Sequence, residues 1–235
     1  MDESQRRAWP WLGTGPLWMP RAARVAADDA AEPGGDRGGQ GDASAAWESL
    51  RREVSGCELC SLCATRTQTV FGVGREHARC LIIGEAPGAE EDRRGEPFVG
   101  RAGELLDLMI GAIGHDRQRD VFIANVLKCR PPDNRDPAGE EVVRCQPFLV
   151  RQVELIAPVV IVALGRFAAQ SLLSTDASIA SLRGRAQSYR SGEREIPVVV
   201  TYHPAYLLRT PLDKAKAWRD LCLVAEILNA APAGQ

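Results

Sequence analysis

The sequence predicts an α/β protein, a three-layer α/β/α sandwich built on a four-stranded parallel sheet. Four short apolar runs, rich in Val, Ile and Leu with little polar alternation, are typical of strands that are covered on both faces. Segments with helical spacing separate these runs, and this alternation indicates parallel strands joined by right-handed crossovers. With 235 residues, 45% of them hydrophobic, the chain can bury one sizeable core.

The predicted elements begin with a short helix over residues 45–54, which leads into the first cysteines. The strands are predicted, in chain order, at residues 80–83, 121–127, 159–164 and 196–202. The helices that alternate with them are predicted at residues 102–113, 139–156, 166–173 and 212–228. Asp136 followed by Pro137 is a favourable start for the second of these helices, because Asp caps helices well and Pro suits their first turn.

Residues 1–44 differ in composition from the rest and are predicted to be a poorly ordered extension that ends in a linker. Trp9, Trp11 and Trp18 stand near Pro and Gly, and the later part is rich in Ala, Gly and Asp. The tryptophans suit a docking segment for a replication partner, and they equally suit a loosely ordered tail. Residues 45–235 are then the single folded domain.

Composition narrows the class of protein. No apolar run is long enough to span a bilayer, and the N-terminus lacks a signal-peptide pattern, so we expect a cytoplasmic protein with no membrane partner. Seven cysteines are an odd number, which favours thiols or a metal site over disulfides. The net charge of −2 is weak evidence against a nucleic-acid partner, because such binding depends on a local basic groove.

The loop that follows the first predicted strand, residues 84–103, is the most informative segment. Its Gly and Pro residues stand at the carboxyl end of a strand, where open α/β sheets bind ligands. It also carries three consecutive acids and an aromatic residue, Phe98. Because phosphate cradles use backbone N–H groups and a Lys, and because acids repel phosphate, the loop predicts a polar, uncharged ring as the ligand.

Four cysteines have the spacing and placement of metal ligands. Cys57 and Cys60 form a Cys-x-x-Cys pair, while Cys129 ends a predicted strand and Cys145 lies in the helix that follows it. Four soft thiolates with no nearby His suit an iron–sulfur cluster or Zn²⁺, and the residues alone do not separate these two.

Four motifs occur in an order that is found in a known family. The Cys57 pair is followed by GEAPGAEED at residues 84–92, NVLKCRPP at residues 125–132 and HPAYLLR at residues 203–209. Together they resemble the family 4 uracil-DNA glycosylases, the iron–sulfur branch of that superfamily, over about residues 57–230. The resemblance implies a uracil-DNA glycosylase-like fold and a monomeric base excision repair enzyme. Such an enzyme flips uracil out of single- or double-stranded DNA and hydrolyses its N-glycosidic bond to leave an abasic site.

The resemblance also implies a [4Fe–4S] cluster with a structural role. Its ligands would be Cys57, Cys60, Cys129 and Cys145. The family's Arg-Thr motif, which begins here at Arg66, sets the second ligand at Cys60 and leaves Cys63 as a bystander. Cys80 and Cys222 are expected to be buried core thiols.

The base-binding residues are expected on two of the motifs. The carboxamide of Asn125 offers an acceptor and a donor side by side, which match N3–H and O4 of uracil; capping of the loop is the alternative role. Phe98 resembles the aromatic residue on which the base stacks. Gly84, Glu85 and Ala86 would line the pocket, largely with backbone groups.

Two residues are candidates for the chemistry. His203, after the fourth strand, would stabilise negative charge on uracil O2, whereas His77 and His115 are expected at the surface. Ala86 stands where the better-known glycosylases of this superfamily have a water-activating Asp. Glu91 is therefore our candidate to order water, to balance positive charge on the sugar or to exclude the methyl group of thymine. Its neighbours Glu90 and Asp92 are expected to be solvated.

The DNA is expected to contact the segment beside His203. Leu207 and Leu208 suit two roles equally well: they could wedge into the base stack, or they could pack on the core. One leucine could also take each role. Arg209 would contact a phosphate, with Tyr206 beside it. Three basic residues near the cysteines would line one side of the DNA-binding groove: Lys128, Arg130 and Arg135.

Two other functions compete with this one. A related glycosylase that bonds covalently to the abasic sugar carries a His-containing insertion after the second strand, and residues 129–136 contain no His. The second alternative is a non-catalytic iron–sulfur DNA-binding module associated with replication or repair. The presence of Asn125, Phe98, Glu91 and His203 argues against a degenerate site of that kind.

Overall fold

The structure is a computed structural model that describes residues 37–232. Most of the predicted extension, including its three tryptophans, lies outside the described residues. The first helix, α1 (Arg37–Ser55), begins upstream of the predicted start at residue 45 and leads into the cysteine-bearing turn at Ser61–Ala64.

A six-stranded sheet forms the centre of the described chain, in the order β1-β3-β2-β4-β6-β5. The strands are β1 (Val73–Gly74), β2 (Cys80–Gly84), β3 (Val121–Asn125), β4 (Val160–Leu164), β5 (Ala186–Ser191) and β6 (Arg194–Thr201). The four predicted strands are β2, β3, β4 and β6, and they pair in parallel as predicted. In this register Gly84 lies beside Asn125 at the carboxyl ends of β2 and β3.

Two antiparallel edge strands were not predicted. β1 is only two residues long and pairs with β3, so it is too short to show a pattern in the sequence. β5 pairs with β6 as a hairpin, and its residues alternate between half-buried and exposed. Its sequence, AQSYRS, is mostly polar because an edge strand can leave one face in water, so no apolar run marks it.

Seven further α-helices are described within residues 37–232, besides three short 3-10 turns. They are α2 (Ala89–Arg94), α3 (Arg101–Ala112), α4 (Gly139–Ile156), α5 (Gly165–Leu173), α6 (Ile179–Leu182), α7 (Pro204–Arg209) and α8 (Lys214–Ala230). The four helices predicted between and after the strands are α3, α4, α5 and α8, and each of their ends lies within two residues of its predicted position. The short helices α2, α6 and α7 were not predicted.

The start of α4 differs from the prediction in its capping residue. The N-cap is Ala138, and the side chain of Glu141 accepts a hydrogen bond from the Ala138 N–H at 2.8 Å. Asp136 lies outside the helix and forms an ion pair with Arg166 at 3.4 Å, so the prediction that it caps α4 is wrong.

Helices cover both faces of the sheet, which confirms the three-layer sandwich. Because side chains alternate along a strand, Leu81 packs with α1, α4 and α5, while Ile82 packs with α3 and α8. Cys80 is buried in the second core as predicted, but Cys222 on α8 is only half-buried. Within residues 37–232, no helix combines the length and the apolar character that crossing a bilayer requires.

Candidate active site and cysteine cavity

A cleft of about 550 Å³ lies at the carboxyl ends of β2, β3 and β6. The parallel strands end at the same edge of the sheet, which brings together loops that are far apart in the chain. The predicted site residues that line it are Glu85, Ala86, Glu91, Phe98, Asn125, Arg135, His203, Tyr206 and Arg209. The other lining residues are Pro87, Gly88, Ala102, Pro131, Asn134 and Ala205.

Asn125 ends β3 and is 2% exposed, yet it lines the cleft. Its Oδ1 atom has no hydrogen-bond partner within the described residues. A buried polar atom without a partner is costly, on the order of 1–3 kcal/mol, so such an atom beside a cleft points to a ligand that donates to it.

Gly84 lies beneath the cleft rather than in its lining. A Cβ atom at this position would meet Asn125 Oδ1 and would lie 2.6 Å from Cζ of Phe98. The absence of a side chain therefore lets the Asn125 carboxamide and the Phe98 ring approach each other above the end of β2.

Lys128 is buried, which corrects the prediction that it lines one side of a DNA-binding groove. Its Nζ atom donates to the backbone oxygen of Asn125 at 2.7 Å and to Oε1 of Gln152 at 2.6 Å. Gln152 in turn donates to the Phe71 oxygen at 2.9 Å. Burial lowers the pKa of Lys128 to about 8. This network supports the backbone of Asn125 from behind, and the sequence offered no sign of it.

Phe98 is buried and has a left-handed backbone, with φ at +54°. Its ring centroid lies 5.4 Å from that of His203, with 32° between the ring planes. The Phe98 backbone oxygen accepts hydrogen bonds from Arg117, a residue that the sequence analysis missed. No sequence signal could have found Arg117, because it stands in a polar loop outside all four motifs.

His203 is the N-cap residue of α7, and its Nδ1 atom accepts a hydrogen bond from the Ala205 N–H at 3.2 Å. This hydrogen bond requires an unprotonated Nδ1 atom, so the neutral ring carries its hydrogen on Nε2. Burial, reinforced by the Arg209 guanidinium and opposed by Glu91, lowers the pKa of His203 to about 4. His203 is therefore a neutral hydrogen-bond donor at neutral pH.

The other two histidines lie outside the cleft lining, and they differ from each other in exposure. His77 is exposed, as predicted. His115 is half-buried rather than on the surface, and burial lowers its pKa.

The three consecutive acids after β2, residues 90–92, have three different environments. Glu91 on α2 lines the cleft, and its Oε1 atom accepts from the Val99 N–H at 3.0 Å. Glu90 is exposed and pairs with Arg93. Asp92, predicted to be solvated, is instead 4% exposed and accepts the Thr67 N–H on both carboxylate oxygens, at 2.9 and 3.0 Å.

Glu85 and Ala86 both line the cleft, as predicted. Burial, reinforced by the charge of Asp136 and opposed by Arg166, raises the pKa of Glu85. The methyl side chain of Ala86 supplies no group that could accept a proton.

The segment beside His203 divides between core and surface. Leu207 is 1% exposed and packs with α3 and α8, which confirms a core position for one of the two leucines. Leu208 is 37% exposed, and its role as a wedge stays a prediction. Arg209 is exposed at the rim, and Tyr206 donates to Asp213 at 2.5 Å. Arg135 also lies at the rim, but Glu141 holds its guanidinium through two bonds of 2.9 and 2.6 Å.

The four predicted metal ligands line one small cavity between the turn after α1, the segment after β3 and helix α4. The cysteines that line it are Cys57, Cys60, Cys129 and Cys145. Arg66 Nη1 lies 3.2 Å from Sγ of Cys129, and the Lys128 N–H lies 3.2 Å from Sγ of Cys145. Cys63 is not among the lining residues. Within the described chain, no three His, Cys, Asp or Glu side chains are grouped so as to hold a metal ion.

Residues 71–222, which include the whole cleft lining, match the family described as the Uracil DNA glycosylase superfamily. Curated proteins named type-4 uracil-DNA glycosylase are similar over most of the chain. The Archaeoglobus fulgidus protein is 44% identical over 77% of this chain and 92% of its own length. The Thermotoga maritima protein is 45% identical over 69% of this chain and 83% of its own length. The Sulfurisphaera tokodaii protein is 44% identical over 70% of this chain and 76% of its own length.

Proposed function

The chain belongs to the uracil-DNA glycosylase superfamily, and within it to the type-4 enzymes; on this premise we propose that a uracil flipped out of DNA enters the cleft and is hydrolysed from its deoxyribose there. The protein is thus a DNA repair enzyme, a hydrolase of N-glycosyl bonds. Its product is a strand with an abasic site.

The buried, unpartnered Oδ1 atom of Asn125 is the observation that carries this proposal for the cleft. In uracil, N3–H is a donor that can satisfy this atom, and O4 can accept from the amide nitrogen of the same carboxamide. Cytosine presents the reversed pattern, so it would leave buried polar groups unsatisfied at about 1–3 kcal/mol each. Selection of uracil over cytosine follows from this mismatch, whereas thymine, which differs from uracil by a methyl group at C5, is not excluded by Asn125.

Phe98 supplies the face on which the extruded base stacks. Its ring lies next to Asn125 above Gly84 and close to the His203 ring, so a base that contacts Asn125 can also cover the Phe98 ring. Stacking of a base on an aromatic side chain contributes about 1–3 kcal/mol and does not depend on which base it is. Phe98 therefore adds affinity, while Asn125 adds selectivity.

His203 stabilises the leaving group in this proposal. As the bond between base and sugar breaks, negative charge develops on uracil O2, and the Nε2–H of a neutral imidazole can donate to it. A donor that is already in place for such charge lowers a barrier by about 3–4 kcal/mol. The hydrogen bond from Ala205 to Nδ1 supports this role, because it holds the ring in the required tautomer.

Glu91 faces the cleft with one carboxylate oxygen bound to the Val99 N–H. We propose that its other oxygen orders the attacking water or balances positive charge on the sugar. Ala86 cannot take a proton, so no side chain at that position competes for the water.

The cysteine cavity suits a [4Fe–4S] cluster held by its four thiolates. Hydrogen bonds from Arg66 and Lys128 to two of the sulfurs are typical of the surroundings of such clusters. Soft thiolate ligands suit iron–sulfur clusters, and the type-4 relatives of this chain favour a [4Fe–4S] cluster over a single Zn²⁺. When bound, the cluster would cross-link the segment after α1 to α4 and to the segment after β3.

The DNA substrate would lie across the rim of the cleft. Leu208 is exposed beside Arg209, so the leucine can enter the base stack while the arginine contacts a phosphate. Arg135 can contribute to binding only together with its carboxylate partner Glu141, which reduces its net charge there. We propose a cytoplasmic monomer that acts on either single- or double-stranded DNA.

Strand cleavage at alkali-treated abasic sites tests the function. Oligonucleotides with a single U, T, C or hypoxanthine would be treated with wild type, His203→Ala and Asn125→Asp, and with His77→Ala as the control, since His77 is an exposed His outside the cleft. We expect cleavage at U, a turnover about 100-fold lower in His203→Ala, and an altered base preference in Asn125→Asp. If iron-loaded wild type cleaves none of these oligonucleotides, the proposed glycosylase activity is contradicted and the non-catalytic DNA-binding module is favoured.

A further inference from the structure

Arg117 lies in the loop between α3 and β3 and is not among the residues that line the cleft. Its side chain is 12% exposed. The guanidinium donates from Nη1 to the Phe98 oxygen at 3.0 Å, and from Nη2 to the oxygens of Phe98 and Pro97, both at 2.8 Å. Two consecutive carbonyl groups of the loop are thus held by one planar side chain.

Two carboxylates form ion pairs with the same guanidinium. Nε lies 3.1 Å from Asp107 on α3, and Nη1 lies 3.5 Å from Glu96 in the loop before Phe98. Because Asp107 lies on α3, a helix that packs on the core, Arg117 connects the Phe98 backbone to that helix.

The Phe98 backbone needs such support. A φ of +54° is unfavourable for a residue with a bulky side chain and persists only where its surroundings enforce it. The approach is tight on the side of α3, since a Cβ atom at Gly103 would collide with the Phe98 oxygen. Arg117 supplies the hydrogen bonds that satisfy this oxygen in that position.

We propose that Arg117 is a positioning residue, which holds the Phe98 ring in the orientation that stacks on the extruded uracil. This inference rests on the proposed function, because it needs Phe98 to be the stacking residue. The contacts of Arg117 are with backbone and carboxylate oxygens, so it acts on the base only through Phe98.

Loss of the Arg117 contacts should affect binding of the base more than the chemical step. Stacking acts on the bound base both before and during bond breakage, so its loss weakens binding more than it slows turnover. A Lys at this position would keep the positive charge near Asp107 and Glu96 but could not hold two carbonyl groups with one planar fork. The fork geometry, not the charge, is therefore the property that matters.

The test is a double-mutant cycle on the iron-loaded enzyme. Inhibition by free uracil gives Ki, and cleavage of a single-stranded uracil oligonucleotide gives KM and kcat, for Arg117→Met, Arg117→Lys, Phe98→Ala and each pair with Phe98→Ala. We expect both Arg117 variants to raise Ki and KM about five- to tenfold, as a weakened stacking contact would. We expect kcat to change less than KM, and the effect to vanish when Phe98 is already Ala.

Arg119→Met is the matched control, because Arg119 is exposed in the same loop and pairs with Asp116 at 3.7 Å. It should leave Ki, KM and melting temperature unchanged. An unchanged Ki in both Arg117 variants, rescue by Lys, or an equal effect with and without Phe98 would overturn the proposal. If Phe98→Ala itself leaves Ki unchanged, the stacking role in the proposed function fails as well, so the two failures are distinguishable.

Discussion

At the scale of single residues, the position of His203 at the start of α7 decides its protonation. The backbone N–H of Ala205 occupies Nδ1, and burial beside Arg209 disfavours the charged ring. A neutral ring with its hydrogen on Nε2 can donate to developing negative charge with no change in its own protonation. The hydrogen bond to Nδ1 and the desolvation of the ring thus fix the neutral form that the proposed role of His203 requires.

The pH dependence of activity follows from this arrangement. With a pKa of about 4, His203 stays neutral as pH falls, so kcat/KM should hold from about pH 7.5 to about pH 5.5, where an ordinary His would titrate. The measurement is kcat/KM on single-stranded uracil DNA across this range. In His203→Asn, which keeps an N–H donor but does not titrate, the rate should be lower at every pH. A wild-type decline centred near pH 6.5 and absent from the Asn variant would contradict the assignment.

At the scale of elements, the first turn of α4 shows how one acid organises a helix start. The Glu141 side chain accepts hydrogen bonds from the Ala138 N–H and from Nη1 and Nη2 of Arg135. Glu141 is 4% exposed. The bond from Arg135, with the backbone bond from Ala138, lowers the pKa of Glu141 despite the opposing effect of burial. The helix start and the rim residue Arg135 therefore depend on the same carboxylate.

Removal of that charge should destabilise the fold. Glu141→Gln is expected to lower the free energy of unfolding by about 1–3 kcal/mol in urea denaturation at neutral pH, since it weakens charge-assisted hydrogen bonds to a buried group. Because the folded pKa is lowered, the stabilisation is present above the ordinary Glu pKa of about 4.3 and is lost as pH falls through the folded value. The difference from wild type should therefore shrink in acid.

Glu140→Gln is the control for that prediction. Glu140 is the preceding residue on the same turn, its side chain is 80% exposed, and it lies 3.9 Å from Arg144. An exposed pair of this kind contributes about 0–1 kcal/mol. Equal losses in the two variants would show that the hydrogen bonds of Glu141 are not what stabilises the start of α4.

At the scale of the whole molecule, the cleft and the cysteine cavity meet at the segment that follows β3. Asn125 faces the cleft, and Cys129 lines the cavity a few residues later. Between them the buried Lys128 donates to the Asn125 oxygen, while its own N–H points to Sγ of Cys145. A cluster in the cavity would therefore stabilise the backbone that presents Asn125.

Removal of a proposed cluster ligand should have a different effect from removal of Cys63, the proposed bystander. Cys129→Ala is expected to lose most of its iron and to release the loop that the cluster closes, which costs a cross-linked chain about 4 kcal/mol. For a chain of this size, that loss lowers the melting temperature by about 10 °C. Cys63→Ala should keep the iron content and melting temperature of wild type, because Cys63 is not among the cavity-lining residues. Iron analysis and thermal unfolding test both, and loss of iron from Cys63→Ala would contradict the ligand set.

Much of the fold and the cleft could be predicted because the signals are local. Apolar runs mark β2, β3, β4 and β6, since strands covered on both faces need continuous apolar residues. The motif residues Asn125, Phe98 and His203 meet in the cleft because parallel strands bring the loops after their carboxyl ends to one edge of the sheet. Order along the chain was enough to predict that convergence.

Burial and pairing could not be predicted in this way, because they depend on contacts between residues far apart in the chain. Lys128 is buried against Gln152, Asp92 caps the backbone at Thr67, and only one of two adjacent leucines faces solvent. Arg117 reaches Phe98 solely because the loop before β3 folds back beside the first turn of α3. The order of the motifs along the chain therefore predicts which residues form the site. The contacts that position each of these residues arise only from tertiary packing.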